Sequence, residues 1–319
     1  MNIELKCPNQ SCKNAMNAPR NAFHRDGYYT RKHSKQKVLK YKCTACGKCF
    51  STSTLTRKAS APQFKKPELT ALIFELYCSR MSMRRIAKVL KCSIGTVQSR
   101  VVWLGDRCRK YHDEAIKIGL LKTTHLQFDE MEGYEHTKLK PVSIALGVDG
   151  TNGKIIEVKV CEMKMRGPTA GLSHIIYPNR IDQRSITSSQ VLRVLNSVAY
   201  PNTYITTDGK RLYRTLLKHI MPQMHHVTVV SRNNKKPKSL PVSTEDPMFW
   251  LNHVCAKIRQ DLSRLTRRSW ITTKKVSMLQ AHLDMYIAYH NKYPIQDIIA
   301  GNLPLKMRII SPKKEKLAA

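Results

Sequence analysis

Val142-Ser143-Ile144-Ala145-Leu146-Gly147-Val148, then Asp149-Gly150-Thr151-Asn152-Gly153, then Ile155-Ile156-Glu157-Val158-Lys159-Val160 is the stretch that decides the fold. Two apolar, partly β-branched runs flank a cluster of turn formers, the pattern of two strands joined by a reversal. With the short apolar run Leu126 to Phe128 before them, they make a meander of three strands. Further on, helical periodicity returns at Ser189 to Val198. A strand over Tyr204 to Thr207 ends at Asp208 and Gly209, and another, Val227 to Val230, follows a helix. Strands and helices mixed in this way imply an α/β layered domain, set at residues 120–300.

On the amino-terminal side the apolar period changes. Leu69, Leu72, Ile73 and Leu76 share one helical face, Ile86, Val89 and Leu90 the next, and a third helix follows Ser93, giving an all-α unit at 62–112. Cysteines cluster from Cys7 to Cys49, marking a first small unit at 1–58, with a polar bridge through Ser51, Thr52, Ser53, Thr54, Ser60, Ala61 and Pro62. Arg232 to Asp246 reads as a polar loop, and from Met248 the chain reads as helical almost to Asn291. Residues 301–319 form a basic tail with Lys313, Lys314 and Lys316.

The 319 residues carry 56 Lys plus Arg against 22 Asp plus Glu, a formal charge of +34. Such self-repulsion is relieved by a polyanionic partner. Membranes are also anionic, but no apolar run reaches the roughly 18 residues of a spanning helix, so double-stranded DNA is the expected partner. The start, Met1-Asn2-Ile3-Glu4, lacks the apolar segment of a secretory signal. A cytoplasmic, nucleoid-associated protein is expected, with its ten cysteines as thiols or metal ligands.

Cys7 and Cys12 are separated by four residues, Cys43 and Cys46 by two. Each close pair can present two thiolates to one tetrahedral Zn²⁺, so the first unit reads as a zinc ribbon with a closed structural site. Buried free thiols are the competing reading; Cys49, His24 and His33 are spare ligands. In the second unit, Ser82 to Leu90 reads as one helix, Lys91, Cys92 and Ser93 as a turn, and Ser93 as the N-cap of a recognition helix through Val97 and Val101. Its residues Thr96, Gln98, Ser99 and Arg100 would enter the major groove, with Arg84, Arg85, Lys88 and Lys91 on phosphates. A plain three-helix bundle is the alternative.

Acidic residues are scarce, yet Asp129, Glu130, Glu132 and Glu135 cluster where the first strand ends, and Asp208 ends another. Carboxylates on adjacent strands can share two Mg²⁺ ions, hard cations that take oxygen ligands. Metals about 3.5–4 Å apart activate an attacking oxygen and stabilise the leaving one in phosphodiester displacement. The competing readings are ion pairs with neighbouring Lys or Arg for Asp129 and Glu130, and a simple Asp-Gly turn at Asp208.

These features occur in a particular order: zinc knuckles, helix-turn-helix, a strand ending in Asp129 and Glu130 with Tyr134 nearby, and a strand ending in Asp208. A basic helix comes next, bearing Arg259-Gln260-Asp261-Leu262-Ser263-Arg264-Leu265, Arg267 and Arg268, and later come Tyr286 and His290-Asn291. The set resembles the insertion-sequence-one family of transposases over most of the chain. The resemblance implies a ribonuclease-H-like catalytic domain with an Asp, Asp, Glu metal triad, its aspartates falling on Asp129 and Asp208. The glutamate position holds Asn252 here, whose amide oxygen ligates Mg²⁺ without charge; related insertion-element transposases include Asp, Asp, Asn versions. Glu245, Asp246, Asp261 or His253 are the other candidates, His253 favouring Mn²⁺.

The resemblance also implies binding to terminal inverted repeats, metal-dependent 3′-end cleavage and strand transfer by a homodimer or larger assembly. Arg259, Arg264, Arg267 and Arg268, with Lys274 and Lys275, would hold the cleaved strand. A non-cleaving, sequence-specific DNA-binding regulator is the second reading, motivated by Asn252. Trp250 and Trp270 are assigned to packing rather than base stacking.

Overall fold

The structure is a computed structural model that describes residues 5–9, 11–16, 18–19, 21–30, 35–51, 64, 66–229, 246–266 and 271–304. The chain divides into two compact units, Met1–Pro67 and Glu68–Ala319. Arg267, Arg268, Trp270, Glu245, His33 and most of the expected tail and polar loop lie outside the described residues.

In the first unit, β1 (Phe23–Thr30), β2 (Lys37–Cys43) and β3 (Cys49–Ser51) form an antiparallel sheet in that order. Its core is small: Cys7, Cys43 and Phe50 are buried, with Phe23 edge-on to Phe50 at 5.2 Å between ring centroids. A core of that size cannot by itself offset the ordering entropy of the unit, which puts the weight on a crosslink through the cysteines.

The second unit begins with three helices, α1 (Leu69–Cys78), α2 (Met83–Val89) and α3 (Ile94–Lys117). Ser82 and Ser93 cap α2 and α3, each accepting from a backbone N–H three residues on, at Arg85 and Thr96. Between the helices Lys91 takes a left-handed φ of 46°, which reverses the chain. The sheet comes next: β4 (Thr123–Tyr134), β5 (Pro141–Asp149) and β6 (Ile155–Glu162). Then come α4 (Ala170–Ile176), α5 (Arg184–Val198), β7 (Ala199–Asp208), α6 (Arg211–Ile220) and β8 (His225–Val229). The last elements are α7 (Phe249–Asp261), a 3-10 turn at Ser263–Leu265, α8 (Val276–His290) and α9 (Ile295–Ala300).

The five strands lie in the order β6-β5-β4-β7-β8. The β6–β5 and β5–β4 pairs are antiparallel, the β4–β7 and β7–β8 pairs parallel. This mixed α/β sheet is consistent with the ribonuclease-H-like expectation. Every residue of β5 is buried because both of its faces are covered. Val142, Ile144, Leu146 and Val148 join a core with α7 and α8, while Ala145 belongs to the core built on α5 and α6. On the α5 side Gly147 leaves room for Leu195, whose Cδ2 a Cβ at 147 would meet at 2.5 Å. Among the described residues no helix is long and apolar enough to cross a membrane.

The structure corrects several expectations. The boundary placed between an all-α unit ending at 112 and a domain starting at 120 does not divide the structure. The helix α3 runs unbroken to Lys117, and Ile73, Ile86, Val101 and Leu104 share one apolar cluster with Val142, Leu251 and Leu283. Leu72 and Val89 face outward, 49% and 58% exposed, because the inward positions are filled by Ile73 and Ile86. Arg100, expected in a DNA groove, is 1% exposed and donates to the Thr70 hydroxyl. It lies on the same stripe as Val97, Leu104 and Cys108, which packs inward. The stretch from Met248 to Asn291 is not one helix: α7 stops at Asp261, Leu262 turns into the core, and Thr273 bridges to Glu135 before α8 begins.

The front helices are tied to β6 and α8 at Arg109 and Gly105. Arg109 on α3 pairs with Glu157 of β6 at 2.9 Å and with Asp284 of α8. Gly105 of α3 meets α8 so closely that a Cβ would lie 2.8 Å from the Ala281 Cβ and 2.9 Å from its Cα. Gly105→Val is therefore expected to lower stability by about 1–3 kcal/mol through overpacking. Thermal unfolding should show a Tm several degrees lower, despite the removal of a poor helix former.

Candidate metal centres and basic groove

In the first unit the sequence folds two turns against each other. The Cys7 N–H donates to Asn14 O and the Cys12 N–H to Asn9 O, shaping one turn. The Cys43 N–H donates to Lys48 O and the Gly47 N–H to Cys43 O, shaping the other. The Sγ atoms of Cys7, Cys12, Cys43 and Cys46 all lie within 4.8 Å of one another. Cys7 and Cys46 are 3.6 Å apart, Cys12 and Cys43 3.8 Å. Four sulfurs at about 2.3 Å from a tetrahedral Zn²⁺ stand about 3.8 Å apart, so the donor set fits that ion.

Proton affinities within the set are uneven. Burial pushes the Cys7 thiol up to about 12. Burial acts on Cys43 as well, but backbone N–H groups of Cys46 and Ala45 and the Asn14 amide, 3.4 Å from its sulfur, bring it down to about 6. Thiolate is the form that ligates metal. The spare candidates stand apart: Cys49 and His24 are exposed and outside the set.

In the second unit Phe128 of β4 lies beside Thr207 of β7 in parallel register, so the next residues along, Asp129 and Asp208, are neighbours at the centre of the sheet. Beyond this point β7 ends, and β4 pairs only with β5. That gap is a crevice at the carboxyl end of a parallel pair, where strand order switches direction. Both side chains are about one-third exposed, at 30% and 34%.

One ammonium joins them. Lys210 Nζ is 3.2 Å from Asp129 Oδ1, 3.6 Å from Asp208 Oδ2 and 4.0 Å from Glu130 Oε2. The Tyr213 hydroxyl donates to Asp129 Oδ1 at 3.1 Å, and Ser188 Oγ donates to Glu130 Oε1 at 2.6 Å. Burial, then the nearby Asp129, Glu130 and Asp208, keeps the Tyr213 phenol protonated far above its usual range. The sequence reading missed Lys210, Tyr213 and Ser188. The available signal was Lys210 two positions after Asp208, which does not stand out in a chain with 56 basic residues.

Asn252 is placed differently from the expected third ligand. Its amide nitrogen donates to Asp246 Oδ2 at 2.9 Å, and among the described residues no hydrogen bond joins it to Asp129 or Asp208. One residue before it on α7, the Leu251 N–H donates to Gln127 Oε1 at 2.8 Å. The other candidates are engaged too. Asp246 accepts from the Met248 N–H just before α7, Asp261 accepts from Tyr286 Oη at 2.7 Å, and His253 stacks on Phe249.

The residues expected to touch DNA separate into two groups. Arg84, Gln98 and Arg264, with Lys274 and Lys275, line one groove of about 500 Å³ between the α2–α3 pair and the segment leading into α8. Met83, Ile94, Ile271 and Met278 give it an apolar floor, and no carboxylate lines it. Within it, the Arg264 guanidinium is held by the Tyr77 hydroxyl and ring. Arg85 is exposed outside the groove lining. Thr96 is half-buried with its hydroxyl 2.9 Å from Ser93 Oγ, which ties it to the helix cap rather than freeing it for a base. Arg259 is half-buried on α7. Trp250 packs over the β5–β6 turn, where a Cβ at Gly153 would meet its ring at 2.4 Å.

No protein-family model matches the chain, and no curated protein matches it. Among solved structures, the crystal structure of the Mos1 strand transfer complex aligns over 78% of this chain and 81% of that one, at 12% identity and a TM-score of 0.28. The crystal structure of the Mos1 mariner paired end complex with Mn aligns over 77% and 81%, at 12% identity and a TM-score of 0.24. Neither superposition is close enough to carry residues from one chain to the other.

The thiol geometry leads to a direct expectation. Metal analysis of the purified chain should find about one Zn²⁺ per chain, and Cys43→Ser should lose most of it, since structural zinc sites are four-coordinate. Circular dichroism after chelation should show the first unit unfolding.

Proposed function

We propose that the chain is a DNA transposase that binds the terminal inverted repeats of an insertion element, cleaves the 3′ end and transfers the strand with the help of divalent metal. The observation that carries this reading is the convergence of Asp129 and Asp208, from adjacent central strands, on a single cation. Two partly exposed carboxylates already gathered around positive charge fit a hard divalent ion with oxygen ligands. Asp129 and Asp208 would hold Mg²⁺ or Mn²⁺, which supplies activation of the attacking oxygen and stabilisation of the leaving oxygen.

The chain's own groups do the rest. Tyr213 fixes Asp129 through its hydroxyl, so that carboxylate is oriented before substrate arrives. Arg84, Lys274 and Lys275 offer charge for phosphates along the groove, and Gln98 offers an amide for a base edge. The four-cysteine unit, folded around Zn²⁺, acts with α2 and α3 in gripping the transposon end. Synapsis of two ends calls for a homodimer or larger assembly acting at the nucleoid.

A second reading, a non-cleaving DNA-binding regulator, is favoured by one observation: the Asn252 amide is spent on Asp246. Among the described residues, only the four thiols bring three or more Cys, His, Asp or Glu ligand atoms together. Purified protein incubated with end-bearing DNA and Mg²⁺ or Mn²⁺ separates the two. The enzyme reading expects nicking at the 3′ end that Asp208→Ala reduces about 10³-fold or more, the loss of several kcal/mol of transition-state stabilisation, with DNA binding retained. Binding without nicking under either metal supports the regulator.

The groove has its own test. Lys275→Gln and Arg84→Gln should each weaken end binding across sequences and lower the slope of log K against log salt by about 1. Arg100→Gln should leave that slope unchanged, because its guanidinium is buried against Thr70.

A further inference from the structure

Lys210 opens α6 two residues beyond the end of β7, and its stem folds back over the carboxylate crevice. Its Nζ sits within 3.2–4.0 Å of oxygens from Asp129, Asp208 and Glu130 and 2.9 Å from the Tyr213 hydroxyl oxygen. Among the described residues no other Lys or Arg forms an ion pair with these three carboxylates. The backbone fixes the root of the stem, since the Lys210 N–H donates to Asp208 Oδ1 at 3.0 Å. The rest of the side chain is 42% exposed, so the ammonium has an open way back to water.

We propose that Lys210 is a built-in counter-ion that holds the seat between Asp129 and Asp208 in the metal-free protein, and that a divalent cation loads only by displacing it. This rests on the reading of Asp129 and Asp208 as metal ligands. The physical argument is competition for one place. Asp129 and Asp208 at the sheet rim, with the buried Glu130 behind them, repel one another, and one ammonium relieves that repulsion. A divalent ion bound by the same oxygens would stand within a few ångströms of Nζ, where two cations repel more strongly than either arrangement tolerates. Binding is then weakened by the fraction of time the seat is open. The flexible four-carbon stem makes this reversible, because swinging Nζ outward breaks no secondary structure.

The test is calorimetric titration of Mn²⁺ into the full chain, with thermal unfolding measured with and without the metal. Lys210→Gln removes the competing charge and is expected to bind Mn²⁺ about tenfold tighter than the unmodified chain. Its metal-free Tm should be lower and its Mn²⁺-induced rise in Tm larger. Lys210→Arg, which keeps the charge and adds a fork suited to carboxylates, should bind Mn²⁺ about threefold or more weaker. This variant decides the matter if Lys210→Gln does not fold without metal, and tighter binding by Lys210→Arg would overturn the inference. Equal or weaker Mn²⁺ binding by Lys210→Gln overturns it too, while leaving Asp129 and Asp208 as ligands. Mn²⁺ binding that persists in an Asp129→Asn, Asp208→Asn double variant, or that is absent from both the unmodified chain and Lys210→Gln, overturns the inference and the metal reading together.

Discussion

The parallel pairing of β4 with β7, in the register that sets Phe128 beside Thr207, is the constraint on which the rest of the second unit depends. Side chains alternate along a strand, so a slip of one residue would turn Asp129 into the core and bring Phe128 to the crevice. The register is held from both sides. Phe128 and Ile205 are fully buried in the core beneath α5 and α6, and on the opposite face Gln127 is pinned by the Pro247 carbonyl and the Leu251 N–H. Two acidic groups that the chain could otherwise keep apart in water are thereby held together in a strongly basic protein.

That arrangement explains why the local charge balance runs against the global one. A formal charge of +34 favours a polyanion everywhere on the surface, whereas carboxylates brought together at one place favour a cation. The groove lined by Arg84, Lys274 and Lys275 and the crevice of Asp129 and Asp208 are complementary in this sense. Both belong to one unit, because α3 crosses α8 at Gly105 and Arg109 ties both helices' neighbourhoods to β6. Under the proposed function, DNA held by the front helices is held by the body that carries the carboxylates.

Much of this fold is legible in local pattern. The β5–β6 hairpin shows in its two apolar runs and intervening turn formers, and Ser93 marks the start of α3 by standing before Val97 and Val101. The cysteine spacing likewise points to the four thiols that the structure gathers. The full length of β4 is less legible, because Asp129 to Tyr134 is acidic and polar and is strand only through pairing with β5. Arg100 misleads for a related reason. Taken as part of a short recognition helix it reads as exposed, whereas over the 24 residues of α3 it falls on the buried stripe. The break after Asp261 is invisible to periodicity, since Leu262 and Leu265 continue an apolar rhythm while the backbone turns toward the bridge at Thr273. Asn252 was placed by resemblance alone, and its partner Asp246 depends on how the chain enters α7, which spacing does not encode. Lys210 was hidden by abundance.

The central claim is that Asp129 and Asp208 together hold a divalent cation. Crystals of the chain grown or soaked with Mn²⁺ and measured at a wavelength sensitive to manganese test it most directly. The account expects an anomalous peak about 2.1 Å from one oxygen of each of the two carboxylates, with the Lys210 ammonium moved out of the crevice. No peak between them at saturating Mn²⁺, with Lys210 still in place, would contradict it.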